Sequence, residues 1–358
     1  MRLERLVARG FRNLADLDCE LPPEGVALLG ANGQGKTNLL EALYYPVLFR
    51  SFRGAPDQVV GCFGGAGFHL EVQVGCAERS EPVAVTYSGP LRKKRITVGG
   101  VDAERVADVV GRCLAVAFLP VDVGLGVGPA SERRHYLDRL LSLAAPRYLR
   151  ALSRFRAALG QRNSALRQGR PELARAFDGV LQEAGSAVVG ARIAWIREAR
   201  DAFRAELACL GEAEPVSLSY AGSVELADPA AWADALERVE ERDASRGATS
   251  VGPHRDDLLL ELGGRPLREV GSTGQQRTAA VALKLLELAS LRAARGTEPV
   301  LLLDDVFAEL DRDRQDRLAR RLSEAPDRQV FVTAPRRDEL PPVLRSTLWN
   351  VQRGRVTR

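Results

Sequence analysis

Lysine is nearly missing from this chain. Of 51 basic residues only Lys36, Lys93, Lys94 and Lys284 are lysine. Its basic surface is therefore arginine, which reflects codon composition as easily as phosphate recognition. Cysteine is sparse: Cys19, Cys62, Cys76, Cys113 and Cys209 are odd in number and form no C-x-x-C pair. That removes the spacing a metal ribbon or redox motif needs, and the five are expected as small buried residues in a reducing cytosol. No stretch stays apolar for the eighteen or so residues of a membrane span. The opening Met1-Arg2-Leu3-Glu4-Arg5 puts charge where a signal peptide needs an apolar core. A soluble, cytoplasmic protein with no membrane partner is expected. Internal repeats and low-complexity linkers are also missing.

What is present is a chain of 358 residues, 45% hydrophobic, able to bury a substantial core in two or three domains. A formal charge of +4 permits a polyanionic partner without demanding one. Gly25-Val26-Ala27-Leu28-Leu29 reads as a short buried strand, followed by a glycine-rich turn and a helix over Asn38 to Tyr45. Phe68 to Val74, Val83 to Tyr87 and Arg95 to Val101 predict antiparallel strands in a β-rich lobe. From Ser131 to Asp243 the composition turns to Ala, Leu, Arg and Glu with little Gly, predicting helix. There Tyr148, Leu152, Phe155, Leu159 and Leu166 mark a core face, while Arg147, Arg150 and Arg154 read as a solvated face rather than a DNA site. Strand signals return at Asp257 to Glu261 and at Pro299 to Leu303, around a long helix from Gln275 to Ala294. The chain is expected to divide into an ATPase lobe with a β subdomain over residues 1–130, a helical lobe over 131–250, and a return to the ATPase core over 251–358.

Gly30-Ala31-Asn32-Gly33-Gln34-Gly35-Lys36-Thr37 fits G-x-x-x-x-G-K-[ST] between a buried strand and a helix, which is a Walker A loop. A chance match anywhere in a chain this short of lysine has odds of about 0.3%. Its glycines let backbone N–H groups turn on phosphates, Lys36 reaches the β/γ oxygens, and the Thr37 hydroxyl ligates Mg²⁺. Val300-Leu301-Leu302-Leu303-Asp304-Asp305 reads as Walker B: a buried strand delivering Asp304 to Mg²⁺ and Asp305 to the attacking water. Alone, it would be an ordinary strand-to-turn junction.

Gly271-Ser272-Thr273-Gly274-Gln275-Gln276-Arg277 resembles the ABC signature, with Gly271 and Thr273 departing from the commonest letters. Ser272, Gly274 and Gln275 open a helix and would make a second anion site; alone, this is a capped helix start. Ala308-Glu309-Leu310-Asp311 resembles a D-loop, and Ala334 stands where the resemblance places a switch histidine. The resemblance implies an α/β, ABC-type ATPase head with a mixed β-sheet lobe and a helical lobe carrying the signature. It also implies a homodimer in which one subunit's signature completes the other's ATP site.

Gly10-Phe11-Arg12-Asn13-Leu14, the Walker A loop through Asn38, Gln161-Arg162-Asn163, Gly252-Pro253-His254-Arg255-Asp256-Asp257 and Leu302 to Val306 together narrow the resemblance. From end to end the chain is similar to the RecF family of bacterial recombination and repair proteins, relatives of SMC-type ATPases. That resemblance implies an ATP- and Mg²⁺-dependent, weakly hydrolysing protein of the DNA-damage and SOS response. It would bind DNA without sequence preference at gaps or stalled forks and help RecO- and RecR-type partners place recombinase. It also implies that Arg12, Asn13 and Asn38 lie near the nucleotide. His254, Asp256 and Asp257 invite a metal-site reading, but a solvated turn entering a strand fits better and no ligand role is assigned. Arg92-Lys93-Lys94-Arg95 reads as an exposed hairpin tip or a DNA contact, with Arg133 and Arg134 as further candidates. The other readings are a transporter motor subunit, which the missing histidine and the helical insertion fit poorly, and a nucleotide-gated protein scaffold.

Overall fold

Val300–Leu303 is four apolar residues in a row with no polar face, so a strand there has to be covered on both sides. In the computed structural model it is, with each residue fully buried. The structure describes every residue except Phe63, Ala77, Glu78, Pro326 and Ser346, and all side chains among the rest except that of Glu309.

In chain order the first strands are β1 (Arg2–Arg9), β2 (Leu17–Glu20) and β3 (Gly25–Leu29), followed by helix α1 (Lys36–Leu48). Next come β4 (Gly67–Cys76), β5 (Arg79–Ser88), β6 (Lys93–Val98), β7 (Val101–Asp102) and β8 (Ala115–Phe118). Three long helices follow, α2 (Ala130–Ala144), α3 (Pro146–Arg167) and α4 (Asp178–Cys209), then β9 (Val216–Ala221), β10 (Asp257–Leu262), β11 (Arg265–Pro266) and α5 (Thr273–Arg295). The remainder holds β12 (Val300–Leu303), α6 (Arg312–Ser323), β13 (Val330–Ala334), β14 (Leu348–Gln352) and β15 (Arg355–Thr357). Contacts divide these into two units. One comprises Met1–Asp122, Cys209–Gly211 and Glu287–Arg358; the other Val123–Ala208 and Glu212–Leu286.

The first unit holds two sheets. One has strand order β15-β14-β3-β13-β12-β8, parallel except for β15. β8 forms the edge of this sheet beside β12. The other sheet, β2-β1-β4-β5-β6-β7, is antiparallel, as the alternating residues of β4 foretell: Phe68, Leu70, Val72 and Val74 are buried and their neighbours are not. Its third predicted strand stops at Val98, because Gly99 and Gly100 turn the chain into β7. α1 packs against both sheets and is buried nearly all round, which explains its run of Leu, Ala, Tyr and Val. Tyr45 meets Phe68 edge-on with centroids 5.3 Å apart, and Phe11 closes the same aromatic cluster.

The second unit carries the helices. Tyr148, Leu152, Phe155 and Leu166 of α3 are buried, Leu159 is partly so, and Arg147, Arg150 and Arg154 face solvent. Phe155, Leu181, Val189 and Trp232 form its core. The region read as wholly helical contains β9, which pairs antiparallel with β10. The Ala- and Glu-rich surroundings mask the period-two residues Val216 and Leu218, which point inward. The signature-like segment falls in this unit with the helices.

Candidate functional site

β3 ends at Leu29, and the loop after it is built on left-handed glycines. Gly30 has φ +153, and a Cβ there would stand 2.3 Å from the Val351 carbonyl oxygen. Gly35, at φ +111, is the N-cap of α1; a Cβ there would press on the Asn13 side chain and on Gly354. α1 begins at Lys36, two residues before the predicted start, so Lys36 and Thr37 lie in its first turn where N–H groups and the helix dipole favour an anion. Ala31, Asn32 and Gly33 are exposed at the loop tip. The Lys36 ammonium, almost wholly buried, donates to the Gly30 carbonyl at 2.6 Å and the Ala31 carbonyl at 3.2 Å. Two of its three hydrogens are thereby used on the loop itself.

β13 lies between β3 and β12, so the carboxyl ends of all three strands converge where such sheets place ligands. Thr37 donates its hydroxyl to Asp304 Oδ1 at 2.9 Å, and Thr333, closing β13, donates to the same oxygen at 2.9 Å. Burial pushes the Asp304 carboxyl above the usual carboxylate range, and the hydroxyls of Thr333 and Thr37 partly offset that. A buried carboxylate beside a hydroxyl is a hard oxygen pair suited to Mg²⁺, which keeps water and phosphate as its other ligands. Among the described residues no group of three or more His, Cys, Asp or Glu converges to hold a metal ion. Asp305 follows in a left-handed conformation, φ 48 and ψ 24, with its N–H donated to Thr333 at 2.9 Å. Ala334 is the buried last residue of β13.

Asn13 lies against the loop: its Nδ2 reaches the Gly33 carbonyl at 3.4 Å, and its Oδ1 accepts from Asn38 at 2.7 Å. Arg12 turns the other way. Its guanidinium is forked onto the fully buried Glu41 at 2.7 and 3.1 Å, and its remaining nitrogen donates to the Val59 carbonyl. The immediate partner of Arg12 is therefore a carboxylate of α1. Ser51 and Arg53 complete that cluster. Sequence reasoning missed it, because Glu41 looks like an ordinary polar position of a helix. It also missed the β14–β15 turn, where Arg353 N–H donates to Gln34 Oε1 at 2.7 Å and Gly354 N–H to the Gln34 carbonyl at 2.8 Å.

Ser272, Gly274 and Gln275 open α5 in the second unit. The Gln275 N–H donates to Ser272 Oγ at 3.2 Å and the Ser272 N–H to Gln275 Oε1 at 2.9 Å, a reciprocal capping box. The alternative of a capped helix start is thus realised at this position, and a phosphate there would compete for the same N–H groups. In the D-loop segment Asp311 caps α6, accepting from Arg314 N–H at 2.9 Å, while the Glu309 side chain lies outside the described residues.

Several expectations need correction. The Gly252 to Asp257 segment is not a solvated turn: Asp256 is buried and held by Tyr220 and the Ser223 N–H. Asp257 takes both arms of Arg133 at 2.7 and 2.9 Å. His254 Nε2 is bonded to the Thr249 carbonyl, and burial lowers its pKa to about 4. Arg133 is itself buried by that fork and is no DNA candidate, and Arg134 donates to the Asp256 carbonyl. Of the basic run only Arg92 lies in the turn; Lys93, Lys94 and Arg95 open β6, where Lys94 pairs with Asp57 and Arg95 with Asp102, so Arg92 and Lys93 carry the remaining charge of that run. Only Cys19 and Cys113 are buried; Cys62, Cys76 and Cys209 are exposed.

No family profile matches the chain. It is 34% identical to the DNA replication and repair protein RecF of Roseiflexus castenholzii, over 99% of both chains. With RecF of Frankia alni it shares 36% identity over the whole of both. Among solved structures, the recombination mediator protein RecF with ATPrS, of the RecFOR pathway, superposes with a TM-score of 0.90 at 30% identity, covering 99% of this chain and 97% of that one. The Smc head of Pyrococcus furiosus superposes at 0.56 and 14% identity, covering 99% and 95%, a likeness of fold.

Proposed function

The chain belongs to the RecF family of DNA replication and repair proteins, with the ATPase-head fold it shares with SMC proteins, and from that premise we propose that it is a slow ATPase whose two half-sites join across an ATP-dependent homodimer. The observation that carries this reading is that one chain presents two helix starts suited to phosphate: α1 behind the Walker A loop and α5 behind Ser272. One nucleotide needs only the first from its own subunit. A symmetric dimer gives the second an occupant, with Ser272, Gly274 and Gln275 of one protomer facing the γ-phosphate held by the other.

In this reading the loop N–H groups and Lys36 hold the β- and γ-phosphates, and Thr37 with Asp304 would hold Mg²⁺, which neutralises phosphate charge. Asp305 orients a water for in-line attack on the γ-phosphorus and accepts its hydrogen bond as the β–γ bridge breaks. Asp305 is one methylene shorter than glutamate, and Ala334 brings no imidazole, so hydrolysis is slow and serves to reset the dimer. Asn13 and Asn38 line the approach to the loop. Arg12 acts by fixing Glu41 and α1. The dimer binds duplex DNA through backbone charge at gaps or stalled forks and works with RecO- and RecR-type partners to place recombinase. The relatives' roles in DNA replication and repair and in the RecFOR pathway support the repair role. The family assignment sets aside the transporter-motor alternative.

The test is the steady-state ATP hydrolysis rate over a range of protein concentrations, with and without duplex DNA at one stated salt concentration. Specific activity that climbs with protein concentration, and further with DNA, supports the composite site. A specific activity independent of concentration removes it.

A further inference from the structure

Thr333 has no assigned role, yet its hydroxyl touches both Walker B carboxylates. It closes β13, the strand between β3 and β12, which puts its buried side chain between the Walker A helix start and the Asp304–Asp305 pair. Its oxygen accepts the Asp305 N–H at 2.9 Å and lies 2.9 Å from Asp304 Oδ1 and 3.3 Å from Asp305 Oδ1. A hydroxyl has one hydrogen to give. The shorter contact directs it to Asp304, whose Oδ1 then receives two hydroxyls, from Thr333 and Thr37. Two donors on one oxygen fix the rotamer of that carboxylate.

Asp305, meanwhile, sits in a left-handed conformation that non-glycine residues rarely adopt. The hydrogen bond from its N–H to Thr333 is what holds the turn there, and the turn decides where the Asp305 carboxylate points. One buried hydroxyl thus sets the geometry of both acidic groups, and no other side chain among the described residues is bonded to both. A threonine satisfying nearby polar atoms merely to complete a strand end would have no reason to span two carboxylates and the strained N–H between them.

We infer that Thr333 is a positioning residue for ATP hydrolysis, aligning Asp305 with the attacking water and holding Asp304 toward Thr37. The inference rests on the ATPase reading above. It places on β13 a function that its neighbour Ala334, buried and without a hydrogen-bonding side chain, cannot supply.

The experiment compares kcat and KM for ATP in wild type, Thr333→Val and Thr333→Ser, well below their melting transitions. Valine keeps the shape and removes the hydroxyl; serine keeps the hydroxyl and removes the methyl. A positioning role predicts that valine lowers kcat by about tenfold to a hundredfold while KM moves little, and that serine restores kcat to within a few-fold of wild type. Valine with an unchanged kcat, or serine as slow as valine, overturns the inference. Wild type that hydrolyses no ATP overturns the ATPase reading and this inference with it, whereas active wild type matched by Thr333→Val overturns this inference alone.

Discussion

Thr37 and Asp304, 267 positions apart in the chain, share a hydrogen bond of 2.9 Å that joins the first turn of α1 to the end of β12. The bond is where the Walker A and Walker B motifs meet. Thr37→Val leaves Asp304 with one hydroxyl donor and removes an oxygen from the proposed Mg²⁺ site. The expected outcome is that Mg²⁺ no longer tightens ATP binding, an effect of about tenfold or more, while Thr37→Ser retains it. Calorimetric titration of ATP with and without Mg²⁺ measures this directly.

The β14–β15 turn braces the phosphate loop. Gly354 has φ +75, and a Cβ there would come within 1.9 Å of the Asn13 carbonyl oxygen, a backbone atom with little room to move. Gly354→Ala is expected to cost about 2 kcal/mol in a denaturant melt and to weaken ATP binding, because the displaced turn releases Gln34. An equally stable variant with unchanged affinity would show that the brace is dispensable.

Arg133 and the pair Arg92 and Lys93 should separate stability from DNA binding. Arg133→Ala strands Asp257, whose side chain is only 16% exposed, and is expected to destabilise the second unit by about 3 kcal/mol. Replacing Arg92 and Lys93 by alanine should leave the melt unchanged. If their turn contacts DNA, affinity falls and the slope of log affinity against log salt drops by about 2. A salt slope equal to that of wild type would remove this turn from the DNA surface.

His254 predicts a pH effect with a definite sign. Its folded pKa, lowered to about 4 by burial, lies below the ordinary histidine value of 6.5. Between those two values the unfolded chain binds the extra proton and the folded chain does not, so its stabilisation is full above 6.5 and declines as pH falls toward 4. In the difference between wild type and His254→Gln, unfolding free energies at pH 7 and pH 4.5 should diverge by roughly 1–3 kcal/mol. A pH-independent difference would mean that His254 charges without penalty in the fold.

The fold was legible wherever a short segment carries its own signal. β3 and β12 announce themselves as unbroken apolar runs, and the glycines and Lys36 of the loop are contiguous in the chain. β9 was hidden because composition averaged over a hundred residues outweighs six, although Val216 and Leu218 alternate with polar neighbours as a strand requires. Thr333, Glu41 and the Arg353–Gly354 turn were illegible for a different reason. Thr333 and the turn gain their roles from strand order, β13 inserted between β3 and β12 and β14 beside β3, and Glu41 gains its role from Arg12, 29 positions away; neither is a local property. The apparent solvation of Asp256 and Asp257 failed in the same way, since their partners Tyr220 and Arg133 are distant in the chain.

The composite site is tested most directly by mixing two inactive proteins, Lys36→Ala and Ser272→Arg, and measuring ATP hydrolysis. Each homodimer lacks one half of both sites. The mixed dimer has one damaged site and one intact site, built from the Lys36 of one protomer and the Ser272 of its partner. The account predicts that activity reappears on mixing, up to about a quarter of wild type for random pairing. Activity that stays at the level of the separate variants would contradict it.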